Sequence, residues 1–445
     1  MRACAVRNPT LTKIKMKAAH AKARVAAVSL NAKLAPGELV LDDRPIDGDQ
    51  FHLLSLSKIH GPVFKIWWHG KITNCVIGLD RCRRFLQAGD GAVRADTFDL
   101  SRLIPHGFLR AMEGEIHQKY RQMFMSAIRN VSPEANEAAF KDSIRKWLAT
   151  LQKPEGGVSE PEIAKALKGA ATEAMLKLVY GVDANSEFGR KLVAAHDTYV
   201  PDATPVVVGE TEEFHFAALR ALVNEHVRAL ESGGIFTPGV LSGLLEKERP
   251  DPTAMGNLIQ MVEFGRYDTH GLWRWIVHFL STQPGLMSEI VQEPDKEARR
   301  KLALMALCET LRMEQAEAIG RIVTKSFVFE NHAFTKRTRV RLCVWESHRD
   351  DRNFPAPDEF RHQRFKSGMP GADRFAPLGM DHHLCLGANW TNVLGAMFIE
   401  CLAEQFELRL LKSAPTEMGR YHFEPGAGEV TEFRPRLTKA TTVET

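Results

Sequence analysis

The amino-acid sequence predicts a mainly α-helical protein with small β-sheet elements, and three observations support that fold class. Apolar residues recur at three- and four-residue spacings through most of the chain between residues 114 and 313. Short apolar segments of strand length lie on both sides of this helical body. One further helix is predicted near the C-terminus, from Ala388 to about Glu404.

The predicted elements follow in chain order. Val63–Trp68 and Ile72–Ile77 flank a short turn that contains Gly70, and this pattern predicts a β-hairpin. Helical periodicity then predicts helices over residues 114–130, 134–152, 160–180, 186–197, 211–231, 254–282 and 296–313. Strand-like segments return at 321–329 and 339–344. An irregular stretch rich in proline and arginine, 347–378, leads to the last helix.

The composition is that of an ordinary globular protein with a sizeable core. Of the 445 residues, 44% are hydrophobic and 26% are charged. The formal net charge of +4 is too small to indicate a nucleic-acid partner. No window approaches the roughly 18 consecutive apolar residues of a membrane-spanning helix.

The first 37 residues form a basic N-terminal extension without an acidic residue. Its basic residues are Arg2, Arg7, Lys13, Lys15, Lys17, Lys22, Arg24 and Lys33. This composition is compatible with an organelle transit peptide and also with a solvated basic helix on a bacterial protein. We favour the basic helix.

The seven cysteines are odd in number, widely scattered and without a CxxC pair. They indicate neither a disulfide framework nor a cysteine-rich zinc site. A reducing compartment is favoured, and we expect the protein in the bacterial cytoplasm.

The most informative stretch runs from Leu378 to Gly387 and contains Cys385. This cysteine lies in a glycine-bounded loop, two residues after His383 and directly before the predicted last helix. Free N–H groups and the helix dipole stabilise a thiolate at such a position. A single thiolate of this kind suits haem iron, because thiolate ligation favours O–O cleavage.

Two other interpretations of the loop stay open at this point. Cys385 could be a buried structural cysteine, which is common. Alternatively, Asp381, His382, His383 and Cys385 could bind a non-haem metal, although the spaced partners expected of a zinc site are missing.

Further motifs appear in a fixed order around this loop. Glu309 and Arg312 are three residues apart on a predicted helix, and Arg321 and Arg364 follow. With the cysteine loop, this order resembles the cytochrome P450 family of haem-thiolate monooxygenases, and within it the soluble bacterial camphor-hydroxylase type. The resemblance implies a large helical haem-binding domain with small β-sheet elements, over residues 38–445. It also implies haem b as cofactor and O2 as co-substrate.

The resemblance assigns roles to individual residues. Cys385 is expected to bind the iron, within a loop that includes Leu378, Gly379 and Gly387. The segment from His117 to Arg121 resembles the family's HxxxR helix, and these two residues, together with Arg321 and His383, are expected near the haem propionates. A structural cluster of bidentate Arg–carboxylate geometry is expected for Glu309, Arg312 and Arg364.

The segment from Met261 to Gly271 resembles the oxygen-activating helix of the family. Gly265 is the small residue at which such a helix opens locally. Asp268 and Thr269 match the acid–alcohol pair that delivers protons during oxygen activation. Without the cysteine loop, the same residues would be interpreted as the ordinary polar face of a long helix.

Four residues depart from the family pattern. Leu378 stands where phenylalanine is usual and Asp381 where glycine is usual, and both lie in the cysteine loop. Arg266 replaces a small residue and His270 replaces a hydroxyl residue on the oxygen helix. Arg266 is expected either to place a cation near the proton route or to point into solvent.

The resemblance also predicts the substrate pocket and the partners. The matching places are occupied by Phe98, Met261, Phe264, Glu317 and Ala318. Because all of these except Glu317 are apolar, a small or medium hydrophobic molecule is expected as substrate. Glu317 could pair with an amine or hydroxyl group. Electrons are expected from a separate ferredoxin-type donor with an NAD(P)H-dependent reductase. The alternative is a haem-thiolate protein that is driven by peroxide or binds ligand with little turnover.

Overall fold

The protein is mainly α-helical with small β-sheets, as predicted. The computed structural model describes residues 9–40, 49–97, 99–153, 155–199, 208–233, 237–314, 318–419 and 422–436. The helices are α1 (Pro9–Ser29), α2 (His52–His60), α3 (Leu79–Ala88), α4 (Gly114–Ile128), α5 (Glu137–Ala149), α6 (Glu160–Tyr180), α7 (Glu187–Tyr199), α8 (Glu210–Glu231), α9 (Val240–Leu245), α10 (Pro252–Ser281), α11 (Pro284–Gln292), α12 (Lys296–Met313), α13 (Val344–Ser347) and α14 (Ala388–Gln405).

The strands are short. They are β1 (Val63–Trp68), β2 (Lys71–Ile77), β3 (Val93–Ala95), β4 (Val158–Ser159), β5 (Ala318–Val323), β6 (Phe327–Phe329), β7 (His332–Phe334), β8 (Arg339–Cys343), β9 (Phe406–Lys412), β10 (Glu417–Met418), β11 (Phe423–Glu424) and β12 (Val430–Pro435). The largest sheet has the order β1-β2-β8-β5-β3, in which β2 and β8 are parallel and the other neighbours antiparallel.

Helical periodicity located the helical body well. Each helix predicted between residues 114 and 313 is present, with its ends within three residues of the prediction. The single strand expected over 321–329 is instead two strands, β5 and β6, separated by a turn. Helices α9 and α11 were not predicted, since six and nine residues are too few for a clear helical period.

Helix α10, 30 residues long, runs through the core and carries the central part of the site. It begins where the Asp251 carboxylate accepts a hydrogen bond from the Ala254 N–H over 2.8 Å, with Pro252 in its first turn. The Tyr120 hydroxyl donates to the same carboxylate over 2.7 Å, which ties the start of α10 to α4. Further along, the Trp273 ring stacks on Phe398 of α14 at 4.7 Å.

The basic N-terminal segment forms helix α1, which packs on the largest sheet. Ala23 of α1 is buried with Trp67 and Ile72 of the β1-β2 hairpin. In the described part of the chain, no helix is both long enough and apolar enough to cross a membrane.

Candidate active site

One cavity gathers most of the residues that the sequence singled out. It encloses about 260 Å³ and lies between α4, the middle of α10, β5 and the loop before α14. The predicted residues on its wall are His117, Arg121, Met261, Phe264, Gly265, Asp268, Thr269, Arg321, Leu378, Gly379, His383, Cys385 and Gly387. They come from four separate segments, so tertiary structure brings them together.

The loop before α14 holds Cys385 close to the N-terminus of that helix. Its backbone N–H donates to the Leu378 carbonyl oxygen over 2.9 Å, which closes the loop. Gly379 has a φ of 92°, a left-handed conformation that favours glycine. A Cβ at that position would lie 3.0 Å from the His383 carbonyl oxygen. The loop therefore depends on Gly379 to expose Cys385 to the cavity.

Cys385 differs from the other described cysteines, all of which are buried. Burial raises the pKa of the Cys82, Cys308 and Cys401 thiols to about 12, so these groups stay protonated at neutral pH. The interpretation of Cys385 as a buried structural cysteine is wrong. No set of three or more His, Cys, Asp and Glu side chains is arranged for a metal ion among the described residues, and the non-haem metal interpretation has no support there.

A cluster of basic side chains lines the cavity beside Cys385. The rings of His117 and His383 are 4.8 Å apart, and Arg121 Nη2 donates to the Leu384 carbonyl oxygen over 2.9 Å. Burial, and after it the charges of nearby groups with Arg321 first among them, together lower the pKa of His383 to about 3. His117, Arg121, Arg321 and His383 thus form a basic cluster on one part of the cavity wall.

The middle of α10 forms a second part of the wall. Met261, Phe264, Gly265, Asp268 and Thr269 all face the cavity, because residues three and four apart share one face of a helix. The helix is continuous from Pro252 to Ser281, without the local opening that the resemblance implied at Gly265.

The small size of Gly265 has a packing role here. A Cβ at this position would lie 2.5 Å from Met175 Sδ of α6. Glycine therefore allows α6 and α10 to approach closely beside the cavity.

Comparison with known proteins identifies the family. The cytochrome P450 family model matches residues 43–201 and 272–421, which is more than half of the chain. The chain belongs to the cytochrome P450 family. Its P450 relatives include cytochrome P450 72A11 of Arabidopsis thaliana, 22% identical over 423 residues, which cover 84% of this chain and 82% of that protein. Cytochrome P450 3A15 of Cavia porcellus is 30% identical over 165 residues, about a third of each chain.

A solved P450 structure has the same fold. The retinoic acid-bound cyanobacterial CYP120A1 covers 91% of this chain and 100% of its own, with a TM-score of 0.73 at 18% sequence identity. Relatives named as a hydroxylase of Panax ginseng and a monooxygenase of Solanum lycopersicum agree with the enzyme class. This chain is a P450 monooxygenase. Its assignment to the camphor-hydroxylase type stays a prediction.

The family match omits residues 202–271, and this gap contains Gly265, Asp268 and Thr269. The proposed roles of these three residues therefore depend on their position in the cavity. By contrast, the matched range 272–421 includes Cys385 and Arg321.

The cavity fits haem, the cofactor that the P450 family implies. Cys385 supplies an exposed sulfur at a helix N-terminus, where the helix dipole favours a thiolate. The basic cluster supplies donors for two propionates, whose negative charge would offset the mutual repulsion of its cations. Of the described residues on the wall, Asp268 is the one carboxylate, and it belongs to α10 rather than to the basic cluster.

Arg266 faces away from the cavity, and both expectations for its side chain are wrong. It is buried, and it donates to the Asp197 carboxylate of α7 over 2.7 Å and to Glu263 over 3.1 Å. Glu263 also accepts from His196 Nδ1, at 2.5 Å. Arg266 therefore makes an ionic contact between α10 and α7 in which the arginine is buried and Asp197 is half exposed.

The other three residues that differ from the family pattern lie in different environments. Asp381 has a φ of 54° and pairs with Arg83 at 3.5 Å, so its negative charge near the cysteine loop has a counter-charge. Leu378 lies on the cavity wall. His270 lies outside the cavity, and its Nδ1 is 2.9 Å from the Tyr267 carbonyl oxygen.

The expected structural cluster is assembled behind the cysteine loop. Arg312 binds Glu309 through two hydrogen bonds of 2.8 and 2.9 Å, and both side chains are fully buried. Arg364 Nε reaches the same carboxylate at 3.1 Å. Arg312 also donates to the His348 carbonyl oxygen, and the His348 ring accepts from the Ala376 N–H. The cluster thereby connects α12 with the segment that leads to Cys385.

Some predicted pocket residues have no described side chain. Phe98 and Glu317 lie outside the described residues, and Ala318 is described only by its backbone in β5, where it pairs with Cys343.

Other residues on the cavity wall were not predicted from the sequence. Phe108 stacks on Phe264 at 4.8 Å, and Arg110 lies next to the basic cluster. His422 Nε2 is 4.0 Å from the Asp268 carboxylate. No local motif marks these residues, because the fold alone brings them to the cavity.

Proposed function

We propose that this P450 monooxygenase uses haem b, held through Cys385, to insert one atom of O2 into a small or medium hydrophobic organic substrate. The product would be an alcohol or an epoxide. The observation that carries this proposal is a single cavity lined by Cys385, by the basic cluster and by the Asp268–Thr269 pair. The alternative is peroxide-driven chemistry or ligand binding with little turnover. In that case the Asp268–Thr269 pair would have no role in proton delivery.

The residues near Cys385 hold the cofactor. The Cys385 sulfur binds the iron, and the turn through Gly379 and Gly387 keeps that sulfur at the start of α14. His117, Arg121, Arg321 and His383 hold the propionates through charge-assisted hydrogen bonds. When bound, haem supplies the iron centre at which O2 is reduced and one oxygen atom is transferred.

The residues of α10 move protons. The Thr269 hydroxyl donates a hydrogen bond toward the reacting oxygen or a water molecule, and the Asp268 carboxylate exchanges its proton with solvent water. The side chain of Asp268 is 52% exposed, so water reaches it. Gly265 adds no side chain on this part of the wall.

The remaining wall selects the substrate. Met261, Phe264, Phe108 and Leu272 are apolar, so this part of the pocket excludes water and favours hydrocarbon groups. A substrate with an amine or hydroxyl group paired with Glu317 is a narrower form of the same proposal.

Electrons come from a ferredoxin-type donor and its NAD(P)H-dependent reductase. Exposed basic residues in the segment before the cysteine loop, Arg361, Lys366 and Arg374, support an acidic partner on that side. A cytoplasmic location and a single catalytic domain over residues 38–445 complete the proposal.

Turnover assays separate the proposal from its alternative. A compound panel is first screened for the low-to-high-spin shift of the haem absorbance, which identifies compounds that bind in the pocket beside the haem. Each hit is then incubated either with ferredoxin, reductase and NAD(P)H or with hydrogen peroxide alone. We expect an oxygenated product with the protein donors and O2. Faster product formation with peroxide alone, or a spin shift without product under either condition, would favour the alternative.

A further inference from the structure

Helix α1 has two apolar faces. The inner face packs on the sheet through Ala23, and Ala27 on the same helix is buried as well. The outer face presents Ile14, Val25 and Val28 to solvent, with 58%, 70% and 78% of each residue exposed. A helix that only covered the sheet would need one apolar face.

The outer face forms a continuous line. Its members recur at alternating spacings of three and four residues, which keeps them on one side of a helix. They are Leu11, Ile14, Ala18, Ala21, Val25 and Val28, and all are exposed. With a rise of about 1.5 Å per residue, this line is roughly 25 Å long. We call it the outer stripe.

Basic residues border the outer stripe on both sides. At 100° per residue, Lys15 and Lys22 project beside one edge, and Lys17 and Arg24 beside the other. All four are exposed. No acidic residue occurs in the chain before Glu38, so the charges that α1 itself contributes beside the stripe are all positive.

These charges decide among the possible occupants. A second copy of the chain would bring basic edges together, and like charges at such flanking positions repel. A partner helix would need a longer seam, because coiled coils extend over at least three or four heptads and this stripe spans fewer. An anionic lipid surface suits both features, since apolar side chains enter the interface while lysines extend toward the phosphate groups.

We propose that α1 binds the surface of anionic lipid bilayers through the outer stripe, as a peripheral contact. The apolar side chains enter the interfacial region, and the flanking cations contact lipid phosphates. Because the inner face of α1 remains on the sheet, the catalytic domain is held at the bilayer. This places the enzyme beside a phase in which hydrophobic substrates concentrate.

Vesicle flotation of the whole protein tests the proposal. Two vesicle types are compared, phosphatidylcholine alone and an equimolar mixture of phosphatidylcholine and phosphatidylglycerol. We expect the protein to float with the mixed vesicles at low salt and to remain unbound with phosphatidylcholine. Raised ionic strength should release it, because salt screens the attraction to the anionic surface.

Matched variants distinguish binding through the outer stripe from non-specific hydrophobic binding. Val25→Ser/Val28→Ser removes exposed apolar groups from α1, and we expect about tenfold weaker binding. Val328→Ser/Leu411→Ser changes two residues that are each 42% exposed on other elements, and it should bind like the unchanged protein. Circular dichroism should show the same helix content for both, since the altered side chains face solvent.

Substitution of two lysines beside the stripe gives a second, independent test. Lys15→Gln/Lys22→Gln, which removes two of the four flanking cations, should weaken the preference for phosphatidylglycerol, whereas Lys366→Gln/Lys412→Gln, exposed on other elements, should keep it unchanged. Equal binding to both vesicle types, or binding unaffected by Val25→Ser/Val28→Ser, would overturn the proposal. A dimer in light scattering that Val25→Ser/Val28→Ser abolishes would also overturn it, in favour of a second copy of the chain.

Discussion

Replacing Glu309 by glutamine should destabilise the fold strongly, although Glu309 lies outside the cavity. Its carboxylate accepts hydrogen bonds from Arg312, from Arg364 and from the Arg361 backbone N–H, the last at 2.8 Å. Glutamine keeps the size and removes the charge, so Arg312 becomes a fully buried cation without its counter-ion. Breaking such a buried pair costs about 3 to 5 kcal/mol.

That loss is large against the roughly 5 to 15 kcal/mol by which folded domains are usually stable. The assay is urea denaturation followed by circular dichroism, with the haem content of each preparation matched. Glu359→Gln is the control, because the Glu359–Arg361 pair is half exposed and such pairs contribute only about 0 to 1 kcal/mol. A Glu309→Gln midpoint no lower than that of Glu359→Gln would refute the reasoning.

Three further predictions concern the chemistry and the pH response. Asp268→Asn and Thr269→Ala should each lower product formation about a hundredfold while NAD(P)H consumption continues as peroxide release, because proton delivery is impaired; product and peroxide are quantified together. Burial raises the pKa of Glu314 from 4.5 to about 7, so the folded protein binds this proton more tightly than the unfolded chain does. The free energy of unfolding should therefore fall as pH rises from about 4.5 to about 7. Glu314→Gln should flatten the measured dependence of the urea midpoint on pH there, and an unchanged slope would exclude this residue as the cause. Glu317→Ala should weaken binding of amine-bearing ligands and spare hydrocarbon ligands in spin-shift titrations; equal affinities would exclude the predicted pairing.

Local patterns determine much of this fold. Helix α6 begins and ends where the sequence placed it, because a Ser159–Glu162 capping box precedes it and a left-handed Gly181 follows it. The turn residues around Gly70 and the β-branched and aromatic residues on both sides of it likewise predicted the β1-β2 hairpin.

The cavity shows where local patterns cease to be informative. Cys385, Gly379 and Gly387 are close in sequence, so one motif contains the whole loop. His422 and Phe108 reach the cavity from distant segments, and no spacing rule connects them with Asp268 or Phe264. Their positions depend on long-range packing, such as the hydrogen bond from Trp275 to the Phe423 carbonyl oxygen that holds β11 against α10.

Arg266 illustrates a second limit. From its sequence position, this residue could belong to the cavity face or to the solvent face of α10. The structure directs it toward α7, and Asp197 of α7 together with Glu263 of α10 compensates its charge. A single sequence does not reveal such partners, because Asp197 lies 69 residues earlier in the chain.

The most direct test of the central claim is the absorbance of the reduced protein with carbon monoxide. If Cys385 is the iron ligand, the purified protein should show the red-shifted Soret band of thiolate ligation, and Cys385→Ser should lose it. Cys401→Ser, which alters a buried cysteine of the same helical region, should retain the band. A red-shifted band in Cys385→Ser, or its absence in the unchanged protein loaded with haem, would contradict the account.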